Sequence, residues 1–199
     1  MADSSHPESL IDLIEDLRKL PGVGRKTATR YAYWLVSQDQ TYLTTLGKKI
    51  HAIKKAVKIC RICGNKTEQE VCGICQNAER NIGQLCIVEQ AEDILQFEKT
   101  GVYQGKYHVL GGVVDPLKKV SLQELNIDTL PDRIVSEEVT EIILALNPTI
   151  QGDATNSALQ EYFRDQDLTV TKLGRGISMG STLEYVDTTT LQEALNSRR

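Results

Sequence analysis

Apolar side chains recur at helical spacing near the start of the chain, at Leu10, Ile11, Leu13, Ile14, Leu17 and Leu20. This stripe predicts an amphipathic helix with Ser9 as its N-cap. It breaks in LPGVGRKTATRYAYWLV (20–36), where Pro21, Gly22 and Gly24 force a tight hairpin, and resumes on a second helix through Ala28, Tyr31, Ala32 and Leu35. From residue 84 the period changes. Short apolar runs, QLCIVE (84–89), YHVLGG (107–112), EIILALN (141–147) and LTVTKL (168–173), alternate with helical stretches at about 91–99, at SLQELN (121–126) and at about 153–163. Strands alternating with helices predict an α/β fold with a mainly parallel sheet covered on both faces, and ligand sites in such sheets lie at the carboxyl ends of the strands.

Charge divides the chain more sharply than its net value of −4 suggests: residues 1–17 carry −5, residues 18–66 carry +11 and residues 67–199 carry −10. A basic segment inside an acidic protein points to a polyanion at one region and a different partner at the other, unless the lysines only solvate helix faces. No apolar run approaches the roughly 20 residues of a membrane span, and the polar start MADSSHPES lacks a signal-peptide core, so a cytoplasmic, nucleoid-associated protein is expected.

The hairpin gives the basic segment a specific use. Glycines at 22 and 24 let the backbone approach a ligand closely, and the amides opening the second helix suit a phosphate oxygen. Arg25, Lys26, Thr27 and Arg30 follow directly. This spacing resembles the helix-hairpin-helix motif, which holds DNA backbone phosphates without reading bases; the plainer alternative is a glycine-capped turn. Lys48, Lys49, Lys54, Lys55, Lys58 and Arg61 extend the charge over a further helix. For Tyr31, Tyr33 and Trp34, helical spacing reads at least two as packing residues, and none is assigned to nucleic acid.

CRICGNKTEQEVCGIC (60–75) sets Cys60 and Cys63, then Cys72 and Cys75, in two C-x-x-C knuckles eight residues apart. Four thiolates close a tetrahedral structural zinc site; an iron–sulfur cluster or a redox dithiol are the alternatives. Such a site predicts a small rigid joint between the basic segment and the acidic domain. Cys86, alone in an apolar run, reads as a small buried hydrophobe.

Glu89 closes the first strand of the α/β region, with Glu92 and Asp93 just beyond it, and Asn147 closes a later one, followed by PTIQGDA. This resembles the Toprim domain, which places a Glu after one strand and an Asp-x-Asp with a trailing Gly-acid pair after another to hold magnesium for phosphoryl transfer. Glu89 and Gly152-Asp153 match, but the neutral Asn147 and Thr149 stand at the aspartate positions. A catalytic magnesium is therefore not expected. The acids Glu89, Glu92, Asp93 and Asp153 form either a docking patch for a basic protein or a solvated rim.

The succession of helix-hairpin-helix (1–56), four-cysteine finger (57–78), Toprim domain (79–174) and a tail with RGISMGSTLEYVDTTTLQEAL (175–199) resembles the bacterial recombination mediator family RecR over nearly the whole chain. The resemblance implies a non-enzymatic role in recombinational DNA repair with RecO and RecF, and a ring-like or clamp-like homo-tetramer or dimer. It places Gly22, Gly24, Arg25, Lys26, Thr27 and Arg30 at DNA, zinc on the four cysteines, and the acids Glu89, Glu92, Asp93 and Asp153 against RecO. The family's tail is Walker-B-like, yet no G-x-x-x-x-G-K-[ST] occurs in this chain, which leaves the tail as turns and an oligomer contact. A magnesium-dependent nuclease or primase-like enzyme and a monomeric damage sensor are the competing functions.

Overall fold

The computed structural model describes residues 7–198, which separate into two compact units at Ala56/Val57. The first contains α1 (Glu8–Arg18), α2 (Arg25–Val36) and α3 (Gln40–Ala56). Helices α1 and α2 pack through Leu10, Ile14, Ala28 and Ala32, with Leu13, Leu17 and Val23 around them. Pro7, not Ser9, stands at the N-cap of α1: its carbonyl takes the amides of Leu10 and Ile11, which puts Ser9 inside the first turn. The two alanines let α1 approach α2 closely and make the whole contact on that face. Tyr31, Tyr33 and Trp34 consequently point outward, 41%, 48% and 50% exposed, against the expectation that two of them pack. Trp34 meets Tyr42 edge to face, and the Arg30 guanidinium lies over the Tyr31 ring.

The second unit opens with a two-stranded antiparallel ribbon, β1 (Lys58–Ile59) and β2 (Lys66–Thr67), and the short α4 (Gly73–Gln76). A four-stranded sheet follows in the order β4-β3-β5-β6, every neighbour parallel: β3 (Gln84–Val88), β4 (Lys106–Val109), β5 (Glu141–Ala145) and β6 (Thr169–Lys172). Side chains alternate between its faces, as a pleated strand requires. Leu85, Ile87, Ile142 and Leu144 meet Leu159 and Phe163 of α7 (Ile150–Tyr162) and its C-cap, and Leu130 of α6 (Leu130–Ser136), on one side. Cys86, Val88, Tyr107, Val109 and Ala145 meet Ala91 and Ile94 of α5 (Ala91–Thr100) on the other. Each fully buried aliphatic contributes roughly 1.5–3 kcal/mol, so both faces must be covered. The tail carries α8 (Thr188–Asn196).

All four expected strands are present. SLQELN, expected as a helix, is only a single 3₁₀ turn at Leu122–Glu124, closed by reciprocal hydrogen bonds between Ser121 and Glu124. Helix α7 starts at Ile150 rather than near residue 153, because the Thr149 hydroxyl caps it by accepting from the Gly152 amide. Cys86 is 1% exposed, and burial pushes its thiol up to about 12. No helix among the described residues is long and apolar enough to cross a membrane.

His108 on β4 is fully buried. Its Nε2 lies 2.5 Å from the Asn126 carbonyl, which can only accept, so Nε2 carries the hydrogen. Burial, reinforced by the nearby Arg133 charge, pulls the imidazole down to about 4 from 6.5. The folded protein then holds His108 neutral where the unfolded chain takes a proton. The stability this contributes is complete above pH 6.5 and shrinks as pH falls toward 4, by about 3 kcal/mol. Urea unfolding across pH 7 to 4 should show this slope flattened in His108→Gln relative to wild type; parallel curves refute it.

Candidate nucleic-acid, metal and partner sites

Gly22 takes φ +75°, a left-handed conformation that a side chain disfavours, and it turns the chain between α1 and α2. Gly24 is different. It is extended, at φ −79° and ψ 170°, and serves as the N-cap of α2. A glycine cap brings no side-chain acceptor, and α2 has neither a side-chain cap nor an acid in its first turn. Its leading amides thus present partial positive charge with no internal anion to neutralise it. Arg25 and Lys26 occupy the first two helical positions, both exposed, with Thr27 half-buried behind them; Arg30, one turn on, is exposed. Lys48, Lys49, Lys54 and Lys55 are all exposed on α3. A phosphate backbone suits this hairpin, by charge and by hydrogen bonding alike.

The Sγ atoms of Cys60, Cys63, Cys72 and Cys75 lie within 4.8 Å of one another, and Cys63 and Cys72 are 3.6 Å apart. A tetrahedron of sulfurs at zinc-bond length has edges of about 3.8 Å. The cluster therefore fits a tetrathiolate metal centre. Without a cation the sulfurs compete for protons: hydrogen bonding to the Cys72 sulfur pushes Cys63 up to about 12, the same contacts hold Cys72 down, and Cys75 is raised. A divalent ion lets all four ionise together.

This loop is built onto the sheet. The Val109 amide at the end of β4 donates to the Cys63 carbonyl at 2.7 Å. Gly64, at φ +79°, closes the first knuckle so near Val109 that a Cβ would lie 3.0 Å from its carbonyl oxygen. The backbone amide of Cys72 donates to the Cys60 sulfur at 3.3 Å.

At the strand ends the two positions that the Toprim pattern fills with aspartate have other occupations. Asn147 donates its side-chain amide to the Glu89 carboxylate at 2.8 Å. Thr149 is the cap of α7. Gly152 is required by sterics: a Cβ there would lie 2.0 Å from the Asn147 carbonyl.

The four acids are not brought together as one ligand set; among the described residues only the cysteines form a metal-competent group. Asp93 accepts from the Gln90 amide at 2.8 Å and is committed to the capping box of α5. Asp153 is held by Arg175 of the tail, which donates to it through both terminal nitrogens and keeps its carboxyl below the usual range. Glu89 is half-buried with Asn147 as its partner, and Glu92 is exposed in the first turn of α5. Arg175 and Arg133, described below, were not among the residues singled out from sequence. Arg175 only opens the quoted tail segment and Arg133 sits in no motif, and a lone arginine reads as ordinary surface charge.

Comparison with known proteins agrees with this geometry. Residues 10–54 match the model of the RecR helix-hairpin-helix, residues 83–174 that of the Toprim domain and residues 176–199 that of the RecR C-terminal region. The chain is 41% identical to recombination protein RecR of Dehalococcoides mccartyi, covering 100% of this chain and 99% of the relative. The Enterococcus faecalis protein of the same name is 39% identical over 98% of each chain, and that of Saccharopolyspora erythraea 41% identical over 94% of this chain and 96% of the relative.

Gly152→Ala should destabilise the second unit by roughly 1–3 kcal/mol or more, since neither the Asn147 carbonyl nor the first turn of α7 can yield without losing the cap. Urea denaturation measures this. A midpoint equal to wild type would mean that the loop is looser than the contact requires.

Proposed function

The chain belongs to the RecR family of recombination proteins, and on that premise we propose that it is a non-enzymatic DNA-binding recombination mediator. The observation that carries the proposal is the uncapped start of α2 behind Gly22, with Arg25 and Lys26 exposed beside it. Gly22, Gly24, Arg25, Lys26, Thr27 and Arg30 hold backbone phosphates of DNA, independently of sequence. The cluster of Cys60, Cys63, Cys72 and Cys75 holds one zinc ion, and its role is structural because four protein thiolates leave no coordination position for a substrate.

The non-enzymatic reading rests on the strand ends. A magnesium site needs several carboxylate oxygens converging on one point. Here an amide occupies Glu89, an arginine occupies Asp153, and the intervening hydroxyl caps a helix. The surface that remains suits docking by a basic partner, RecO or RecF, in a homo-tetramer or dimer that surrounds or clamps DNA. Of the four acids, Glu89 and Glu92 are the ones not already bound to a cation or a cap. The Toprim match supports a second reading, a cation-dependent phosphoryl-transfer enzyme. DNA cleavage or synthesis in Mg²⁺ or Mn²⁺ that disappears in Glu89→Ala would establish that instead.

Arg25→Ala combined with Lys26→Ala should weaken DNA binding by tenfold or more on unrelated sequences. The slope of log K against log salt should drop by roughly 2, about 0.9 for each lost phosphate contact. Fluorescence anisotropy over a salt series reads both, and an unchanged slope removes these residues from the interface. Glu89→Lys with Glu92→Lys should abolish RecO association in a pull-down or by calorimetry while leaving DNA affinity and metal content intact; retained association would reduce these acids to a solvated rim.

A further inference from the structure

Arg133 of α6 is only 4% exposed, and its contacts converge from three elements. Nη1 donates to the Tyr107 carbonyl of β4 at 2.6 Å and lies 3.5 Å from His108 Nδ1. Nε donates to Glu137 at 3.1 Å. Nη2 points at the Cys75 sulfur, 4.0 Å away. Glu137 is shared, because the Lys106 ammonium is also 3.3 Å from it, and all three charged side chains are largely buried.

These charges do not balance among themselves. Arg133 and Lys106 supply two positive charges against the single negative charge of Glu137, and His108 is kept neutral by burial. One unit of positive charge is left inside the protein, an arrangement that persists only with a compensating anion nearby. Four thiolates around a divalent ion carry a net charge of −2, and the guanidinium faces one of those sulfurs.

We propose that Arg133 is a positioning residue for the metal centre: its guanidinium donates to the metal-bound Cys75 thiolate, offsets the negative charge of the cluster and so raises its affinity for the ion. The inference rests on the reading of the four cysteines as a metal centre. It adds that the affinity is set partly from α6, some 58 residues beyond Cys75 in sequence. The Tyr107 carbonyl holds the guanidinium in place, while Glu137 competes with Cys75 for its charge.

The test is zinc affinity, measured with a competing chelator on the full chain, together with absorption of the Co²⁺-loaded protein. Arg133→Met should weaken zinc binding by about 10- to 100-fold and shift the sulfur-to-cobalt charge-transfer band to lower energy, because an unbonded thiolate gives up its electron more easily. Glu137→Gln, which leaves Arg133 charged and removes its competing carboxylate, should keep zinc affinity at least as high as wild type even if it lowers stability. A purely structural role predicts the opposite for Glu137→Gln, a loss of zinc in step with the loss of stability, and that result overturns the proposal even if Arg133→Met fails to fold. A folded Arg133→Met with wild-type affinity and an unshifted band overturns it too. Failure of the underlying reading looks different: the wild-type chain itself would bind neither Zn²⁺ nor Co²⁺ at one ion per chain.

Discussion

Four sulfurs within 4.8 Å of one another can all ionise together only beside a cation. The cysteine loop is also tied into the second unit. The first knuckle, closed by Gly64, lies against the end of β4 and takes the Val109 amide as a partner. Because β4 is the outer strand of the sheet, its backbone needs partners that no further strand supplies. The cysteine loop provides one from beside the strand, and Arg133 binds the Tyr107 carbonyl. Cysteine loop, edge strand and α6 are therefore joined through β4.

The strand ends pair the steric features of a Toprim loop with neutral groups at its two aspartate positions. Gly152 still allows α7 to start against the Asn147 carbonyl, and the helix is still capped at Thr149. The groups at these positions carry no charge. An aspartate at 147 would place a second negative charge beside Glu89, tolerable only with a cation between them; an asparagine supplies the hydrogen that the carboxylate needs. The loop thus satisfies its own polar groups.

Features governed by local chemistry could be read from the sequence. The cysteine spacing, the glycine hairpin, the apolar runs of all four strands and the burial of Cys86 depend on neighbours within a few residues or on simple alternation. Features set by distant partners could not. The seven-residue α6 has too few residues to show a period, and it stands on buried contacts of Leu130 and Arg133 with elements elsewhere in the chain. The same applies to Arg175, whose partner Asp153 lies 22 residues away. The aromatic residues of α2 were misjudged for a related reason: helical periodicity identifies a face, but the width of the buried stripe depends on the helix packed against it, and Ala28 with Ala32 fill that stripe alone.

Counting acids therefore overstates the charge that this face presents. Electrostatic attraction for a basic partner comes from charge that is neither paired nor committed to a helix cap. Asp153 has its cation already, from a tail residue that a partner would have to displace, and Asp93 spends its carboxylate on the Gln90 amide. Glu92 is exposed, and Glu89 is anchored by a neutral amide that leaves its charge intact. This face therefore offers two carboxylates at the carboxyl end of β3 and the start of α5, with a third bound to Arg175. On the proposed docking role, the charge offered to a partner therefore depends on whether Arg175 holds Asp153.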